Sequence, residues 1–372
     1  MNPRTEFCPN MGCPARGQSG KGNIIIHSRQ PERYKCKLCG KTFCATKGTM
    51  MYRLQTSLEL VKVVVTLLAH GCPVQAIEAA YGLDERTIAH WQHRAGQHCE
   101  QVHQHGVERR REVGQVQADE LRVKQQGEIV WLAMAVQVNT RLGLGGTVAK
   151  QRGFALVKSL IEKIRAGTLC RPLLFCTDGF SAYIRAIREV FREAVPSGQP
   201  GRPHLRPWDN MCIAQVVKQY AQRRVVGINR RIIQGTTEQV QTILRCTQGG
   251  KTINTAYIER FAKRATFRSR LASLIRRGRS LARQTLTLYH GMYLIGTVYN
   301  FCTFHKSLRI PGILGGHKWL PRTPAMATGL TDHCWTMEEL LLFRVPLARW
   351  SPPKKRGRPS TLTKSLVAQW GG

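Results

Sequence analysis

Hydrophobic positions in the middle of the chain follow first the period of β-strands and then that of a helix. Apolar and polar residues alternate over 115–124, a nearly continuous apolar run covers 129–138, and glycines interrupt a third run over 142–149. Each of these stretches predicts a strand. Over 154–166 apolar residues recur every three or four positions, which predicts a helix. The short apolar run over 172–178 then predicts a buried strand.

The last of these strands ends in the dipeptide Asp178-Gly179. This ending places a carboxylate at the strand tip, and the glycine permits a sharp turn into a following helix. The alternative is a turn-forming aspartate without a further role. Three meandering strands, a helix, a strand and a helix are the element order of an RNase H-like α/β domain with a mixed sheet. In that order the first and fourth strands are neighbours, so we expect Asp119 beside Asp178, with Glu120 on the opposite sheet face.

Residues 55–100 show a helical period instead. The first amphipathic stripe consists of Leu58, Val61, Val65 and Leu68. A second helix is expected from Pro73 to Tyr81, because proline is accepted in a first helical turn. Asp84, after a glycine-containing turn, is a suitable N-cap for a third helix.

The third helix turns apolar residues inward and basic ones outward. Arg86, His90 and Arg94 lie on its outer face, where they are candidate DNA contacts. Two helices joined by a three-residue turn, the second polar and basic outside, are typical of helix-turn-helix proteins. An ordinary helical hairpin is the alternative reading.

Two cysteine pairs near the N-terminus have the spacing of metal ligands. They are Cys8 with Cys13 and Cys36 with Cys39. Gly40 follows the second pair and permits a tight knuckle turn. Four thiolates predict one structural Zn²⁺ in a closed tetrahedral site, on which so small a segment depends for folding. Cys44 is a competing ligand, and chance clustering is the alternative.

The net charge of the chain indicates which class of partner it binds. The chain of 372 residues carries 57 Lys and Arg against 22 Asp and Glu, a net charge of +35. Such a field favours a polyanion, and nucleic acid is the expected partner. No run approaches the ~18 consecutive apolar residues of a spanning helix, so no membrane partner is expected. The N-terminus lacks the apolar core of a signal peptide, which leads us to expect a cytoplasmic, nucleoid-associated location.

Acidic residues are scarce, so each one in a structured stretch is a candidate ligand. Glu259 lies in a strongly basic segment predicted to be one helix, with Ile258 and Phe261 on its buried face. A surface ion pair with Lys263 is the alternative, but a metal ligand flanked by phosphate contacts is the more economical interpretation of this single carboxylate. Glu238 is the alternative third acid.

Four motifs together resemble those of the DDE transposases of bacterial insertion sequences, above all the insertion-sequence-one family. They are Ala118-Asp119-Glu120, Thr177-Asp178-Gly179, Asn254-x-x-Tyr257-Ile258-Glu259-Arg260, and Tyr299-Asn300-Phe301 with His305-x-Ser307-Leu308-Arg309. The resemblance implies that Asp119, Asp178 and Glu259 are a catalytic triad that binds two Mg²⁺ or Mn²⁺ ions. It also implies cleavage at the terminal inverted repeats of an element, joining to target DNA, and action as a homodimer or larger assembly.

Basic residues near the third acid and at the C-terminus are further candidate DNA contacts. Those near the acid are Arg260, Lys263, Arg264 and Arg268. The C-terminal Arg356-Gly357-Arg358-Pro359 resembles an AT-hook, in which both arginines enter a narrow minor groove. A solvated basic tail is the alternative.

The predicted architecture is multidomain. The expected segments are a zinc ribbon over 1–50, a helix-turn-helix domain over 51–110, an RNase H-like catalytic domain over 111–310 with an insertion at 185–253, an extension over 311–350 and an AT-hook-like basic tail over 351–372. Two other functions fit the same pattern. They are a catalytically inactive DNA-binding regulator and a structure-selective nuclease.

Overall fold

The structure, a computed structural model, describes residues 2–195, 203–222, 224–275, 282–312, 318–352 and 357–371, and of residues 263–265 only the backbone. The chain divides into two units. The ribbon unit comprises Met1–Leu58 with Leu341–Gly372, and the sheet unit comprises Glu59–Leu340. This division is coarser than the five segments expected from the sequence, which stay predictions.

Three short strands form an antiparallel sheet in the ribbon unit: β1 (Ile24–Arg29), β2 (Glu32–Cys36) and β3 (Thr42–Cys44). Gly40 turns the chain between β2 and β3 with a φ of 70°, and its amide donates to the Cys36 carbonyl at 2.9 Å. Glycine adopts this left-handed conformation without the strain that a side chain would add. The predicted knuckle turn is therefore confirmed.

The C-terminal helix, Thr361–Trp370, belongs to the same small core. Trp370 is buried in one cluster with Tyr34, Phe43 and the cysteines of the ribbon. Its carbonyl accepts a hydrogen bond from Nε2 of Gln18 at 2.8 Å. The segment 351–372, expected as an AT-hook-like basic tail, thus also contains a helix that contributes Trp370 to the core of the ribbon.

The sheet unit contains the remaining elements. In chain order they are α1 (Leu58–Ala69), α2 (Val74–Tyr81), α3 (Glu85–Gly106), β4 (Gln115–Gln125), β5 (Glu128–Gln137), β6 (Gly143–Ala149), α4 (Phe154–Ala166), β7 (Leu173–Asp178), α5 (Ser181–Val190), β8 (Arg192–Val195), β9 (His204–Pro207), β10 (Met211–Ala221), β11 (Arg224–Gln234), α6 (Thr237–Cys246), α7 (Ala256–Glu259), the π-helical turns Arg260–Ala265, α8 (Phe267–Arg270), α9 (Thr285–Cys302), β12 (Ile310–Pro311), β13 (Trp319–Leu320), α10 (Pro324–Ala327) and α11 (Met337–Leu342). Short 3-10 turns cover Ala272–Leu274 and Lys306–Leu308.

The central sheet has six strands in the order β11-β10-β7-β4-β5-β6. β7 pairs in parallel with both β4 and β10, and the other pairs are antiparallel. β4 and β7, the predicted first and fourth strands, are therefore neighbours as expected. Their register pairs Gln117 with Cys176. Because side chains alternate along a strand, Asp119 and Asp178 follow two residues later on one face.

Helices α1 to α3 form where the sequence predicts them. Gly82 ends α2 with a φ of 63°, and Asp84 caps α3 by accepting hydrogen bonds from the amides of Arg86 at 2.8 Å and Thr87 at 3.4 Å. The inward residues Ile88, Trp91 and Ala95 are buried, as predicted.

Helix α3 is longer than the helical segment expected from the sequence, and it packs along α9. At Gly96 an added methyl group would lie 2.4 Å from Cβ of His290 and 2.5 Å from its carbonyl oxygen. Farther along, Thr297 Oγ1 donates to the carbonyl of Cys99 at 3.2 Å. Glycine at position 96 therefore permits a close approach of the two helices.

Segment 185–253 is not a simple insertion. Within it, β10 pairs with β7 over Met211–Val216 and extends the central sheet. β11 adds an edge strand, and β8 pairs with β9 as a separate hairpin. The apolar start of β10 is buried, which is why it joins the sheet rather than forming a separate addition.

The basic segment around Glu259 differs from the single regular helix expected there. Its helix α7 ends at Glu259, π-helical turns follow, and α8 begins only at Phe267. Ile258 and Phe261 are buried, as predicted. A π-helical turn shifts the following residues around the helix axis, so a single 3.6 period does not describe this segment.

No helix in the described ranges combines the length and the apolar character needed to cross a membrane.

Candidate functional site

Two aspartates meet at the end of the central sheet. Asp119 on β4 is buried, and Asp178, the last residue of β7, is half-buried. Asp178 Oδ1 accepts the amide of Phe180 at 3.0 Å, which fixes the turn into α5. A side chain at Gly179 would lie 3.2 Å from Val217, so this glycine is favoured by close packing against β10.

Glu120 belongs to the same cluster, which corrects the expectation that it points away. Carboxylate oxygens of Asp119, Glu120 and Asp178 all lie within 4.8 Å of one another. Glu120 follows Asp119 directly on β4, yet its carboxylate lies beside those of both aspartates. Its Oε1 is buried and makes no hydrogen bond with the described residues.

Glu259 approaches the cluster from α7. Gln117, two residues before Asp119 on the same strand face, accepts the amides of Tyr257 at 2.9 Å and Ile258 at 3.1 Å. Its Nε2 donates to the carbonyl of Asn254 at 2.8 Å. Gln117 thus holds the first turn of α7 over β4 and thereby positions Glu259.

The acids share one cleft of about 440 Å³. Its lining includes Asp119, Asp178, Glu259, Arg152 and Lys218. Glu259 is not part of the group whose oxygens all lie within 4.8 Å. The alternative third acid, Glu238, is exposed in the first turn of α6 and does not line the cleft.

Arg152 neutralises two of the carboxylates. Its Nη2 lies 2.8 Å from Oε2 of Glu120 and 3.2 Å from Oδ2 of Asp178. Burial lowers the pKa of Arg152, but the adjacent carboxylates outweigh this effect and raise it above its ordinary value. The pKa of Glu120 is raised, first by burial and then by the charge of Asp178, against the opposing effects of Tyr183 and Arg152.

The donor set fits a hard divalent cation. Mg²⁺ and Mn²⁺ prefer carboxylate oxygens, and three acidic side chains converge here. Glu120 brings a further buried carboxylate beside the two aspartates. Asp119, Asp178 and Glu259, with Glu120 beside them, would hold such an ion.

The four predicted cysteines also come together. Cys8 Sγ lies 3.7 Å from Cys39 Sγ, and Cys13 Sγ lies 3.9 Å from Cys36 Sγ. All four sulfur atoms lie within 4.8 Å of one another. A regular tetrahedron with Zn–S bonds of ~2.3 Å places its sulfurs about 3.8 Å apart. The cluster could therefore hold a metal ion such as zinc, and among the described residues it does not include Cys44.

The thiols of this cluster differ in acidity. Burial raises the pKa of Cys8 above its ordinary value and that of Cys13 to about 12. Burial also acts to raise the pKa of Cys39, but hydrogen bonds from the Lys41 amide and neighbouring side chains outweigh it and lower the pKa to about 7. Cys39 is thus the thiol most easily deprotonated when a metal binds.

The predicted DNA contacts lie in three places. Arg86 and His90 on α3 are exposed, Arg94 is half-buried, and all three line a second cleft of about 1010 Å³. Arg260 and Arg268 are exposed near Glu259, and so is Arg358 near the C-terminus. The side chains of Lys263 and Arg264, and the whole of Arg356, lie outside the described residues.

Three side chains at the site carry no signal in the sequence motifs: Arg152 and Lys218, which line the carboxylate cleft, and Gln117, which holds α7 beside it. Side chains alternate along β4, so Gln117 lies on the same strand face as Asp119, and the sequence pattern could have indicated this residue too. Arg152 and Lys218 are two among 57 cations and have no such signal. Comparison with protein-family models finds no match for this chain, and comparison with curated proteins finds none either.

Proposed function

We propose that this protein is a DDE-type transposase, which cuts DNA at the ends of an insertion element and joins the freed 3′-hydroxyl to target DNA. One observation carries the proposal. Asp119 and Asp178, distant in the chain, converge on adjacent parallel strands in a cleft that Glu259 also lines. The adjacency of β4 and β7 supports an RNase H-like domain.

In this proposal, different residues of the cleft have different roles. Asp119, Asp178 and Glu259 hold the divalent ions, which in bound form activate a nucleophile and stabilise the attacking and leaving oxygens of an in-line displacement. Gln117 fixes the position of α7, and the Asp178–Phe180 turn fixes the strand end. A carboxylate side chain is needed at each ligand position, because a neutral one provides less charge against two neighbouring cations.

Recognition of the element ends is proposed for the ribbon unit and α3. The cysteine cluster would stabilise the ribbon when it holds a metal, and the exposed basic side chains are Arg358 in the ribbon unit and Arg86 and His90 on α3. These basic side chains would contact phosphates and groove edges, in keeping with the net charge of +35.

A plasmid that carries the reading frame with its natural flanking DNA tests the proposal. Purified protein with Mg²⁺ or Mn²⁺ should release 3′-hydroxyl ends and join them to a second plasmid, and Asp119→Asn and Asp178→Asn should abolish both products. Cleavage without joining would instead assign a nuclease. DNA binding without cleavage, unaffected by both substitutions, would assign a regulator.

A further inference from the structure

The carboxylate cleft contains two cations of its own. Arg152 Nη2 lies 3.2 Å from Asp178 Oδ2, and Lys218 Nζ lies 2.5 Å from Glu259 Oε1. Each therefore contacts one of the acids assigned above to a divalent ion. Both side chains line the same cleft as Asp119.

Arg152 is anchored independently of its contact with Asp178. Its Nε and Nη2 donate to Oε2 of the buried Glu120 at 2.9 Å and 2.8 Å. Its guanidinium lies 4.2 Å from the ring centre of Phe180 and 5.4 Å from that of Trp131. Loss of the Asp178 contact would therefore leave the charged group in place, with hydrogen-bond donors available to another anion.

Lys218 is placed by the sheet. It follows closely after Val216, which pairs with Asp178 in the β10–β7 register, so its backbone lies beside the strand end. The side chain is 30% exposed, and its ammonium carries three donor hydrogens. Thr255 Oγ1 also donates to Glu259 Oε1 at 3.0 Å, so Glu259 keeps a partner when Lys218 leaves.

We infer that Arg152 and Lys218 are the phosphate-binding residues of this cleft, and that a divalent cation displaces them from Asp178 and Glu259 as it binds. This inference rests on the proposed function. A metal ion and a side-chain cation repel each other when they share a carboxylate, because both carry positive charge and lie within a few ångströms. The displaced charges then remain beside the metal, where a DNA phosphate would lie.

Metal binding and DNA binding should consequently favour each other. The metal releases two side chains for the phosphate, and the phosphate draws them away from the metal's ligands. By linkage, the factor by which Mn²⁺ raises the affinity for DNA equals the factor by which DNA raises the affinity for Mn²⁺.

Titration calorimetry with Mn²⁺ alone tests the competition. Without DNA, Arg152→Gln and Lys218→Gln should each bind Mn²⁺ about two- to five-fold more tightly than the wild type, the range for removal of a partly exposed ion pair. Lys158→Gln is the matched control, because it removes the same charge and an ion pair with Glu189 at 2.5 Å outside the cleft. Its affinity should match that of the wild type.

Fluorescence anisotropy with a short labelled duplex tests the phosphate role. Mn²⁺ should raise the DNA affinity of the wild type and of Lys158→Gln several-fold. In Arg152→Gln and Lys218→Gln, Mn²⁺ should raise the DNA affinity much less. Arg152→Lys, which keeps the charge, should restore part of the effect. Arg152→Gln leaves Glu120 buried without its cation, so Lys218→Gln supplies the test alone if that variant unfolds.

Equal Mn²⁺ affinity in the wild type and both cleft variants would overturn the inference and leave the proposed function intact. Weaker Mn²⁺ binding in a folded Arg152→Gln or Lys218→Gln would also overturn it, because the cations would then organise the carboxylates rather than compete with the metal. No Mn²⁺ binding by the wild type would remove the metal centre itself, and with it both proposals.

Discussion

Asp119 and Asp178 lie on the same face of two adjacent parallel strands, with carboxylate oxygens within 4.8 Å of each other. Replacement of either by asparagine keeps the shape but removes a negative charge from the cleft. We expect Mn²⁺ affinity to fall at least about ten-fold, because loss of even an outer partner of a metal ligand costs 10–100-fold. Titration calorimetry measures this effect. Asp209→Asn, at an exposed aspartate paired with Arg206 outside the cleft, is the control and should leave the affinity unchanged.

The crossing of α3 and α9 predicts a stability effect at Gly96. An alanine methyl would meet backbone and Cβ atoms of His290 at 2.4–2.7 Å, so the helices must separate. We expect Gly96→Ala to lower the free energy of unfolding by about 1–3 kcal/mol, the usual cost of overpacking. Gly106→Ala is the control in the same helix, since its methyl would meet only Phe301 at 3.4 Å. Urea unfolding that shows equal stability for the two variants would contradict the close crossing.

His103 makes the stability of the sheet unit dependent on pH. Burial, with smaller contributions from the charges of Lys163 and Arg111, lowers its pKa to about 3. An unfolded chain protonates this histidine near pH 6.5. Between the two values the unfolded state binds more protons, so stability falls as the pH falls. At pH 5 this one residue accounts for a loss of about 2 kcal/mol relative to neutral pH.

Urea unfolding at neutral pH and at pH 5 checks this dependence. The free energy of unfolding should fall by about 2 kcal/mol less between neutral pH and pH 5 in His103→Gln than in the wild type. This difference holds whatever the stability of the variant at neutral pH. Parallel losses in both proteins would show that other groups, such as His290 with its pKa lowered to about 4, carry the acid sensitivity.

Trp370 should stabilise the ribbon unit from the far end of the chain. It is buried among the cysteines and aromatic residues of the ribbon, so Trp370→Ala should destabilise the zinc-loaded protein by about 3 kcal/mol. Leu362→Ala is the control, because Leu362 in the same helix is 70% exposed. Competition with a zinc chelator should also show faster metal loss from Trp370→Ala. Equal metal retention in both variants would indicate that the helix contributes nothing to the cysteine cluster.

The carboxylate pair and the cysteine cluster were predictable because they follow from local pattern. Alternation along β4 and the apolar run before Asp178 determine which face and which end of the strands the acids occupy. The spacing of Cys36 and Cys39 determines their knuckle. The local setting of each residue depends on a few neighbours, whereas the meeting of the two aspartates follows from the order of elements that places β4 beside β7.

Other features depend on where each side chain lies in the fold and on partners that are distant in the sequence, and the hydrophobic period of the sequence reveals neither. The carboxylate of Glu120 lies beside the two aspartates although strand alternation predicts that it points away. Arg152 contacts Glu120 and Lys218 contacts Glu259, and these contacts depend on where the fold places each side chain rather than on spacing along the sequence. The π-helical turns after Glu259 break the helical period expected there, and Phe261 within them contacts the ring of Phe267 after them.

The docking of the C-terminal helix has a consequence for the basic segment before it. On one side, the carbonyl of Leu347 lies so close to Gly17 that no side chain fits there, and on the other side Trp370 is held in the ribbon core. In the sequence, Arg358 therefore lies between two residues that pack on the ribbon, Leu347 and Trp370. A chain segment whose two ends are already held loses less conformational entropy when it forms a further contact. If removal of a bound metal loosened the Trp370 end, any contact that Arg358 makes would become weaker, even though Arg358 is far in sequence from the cysteines.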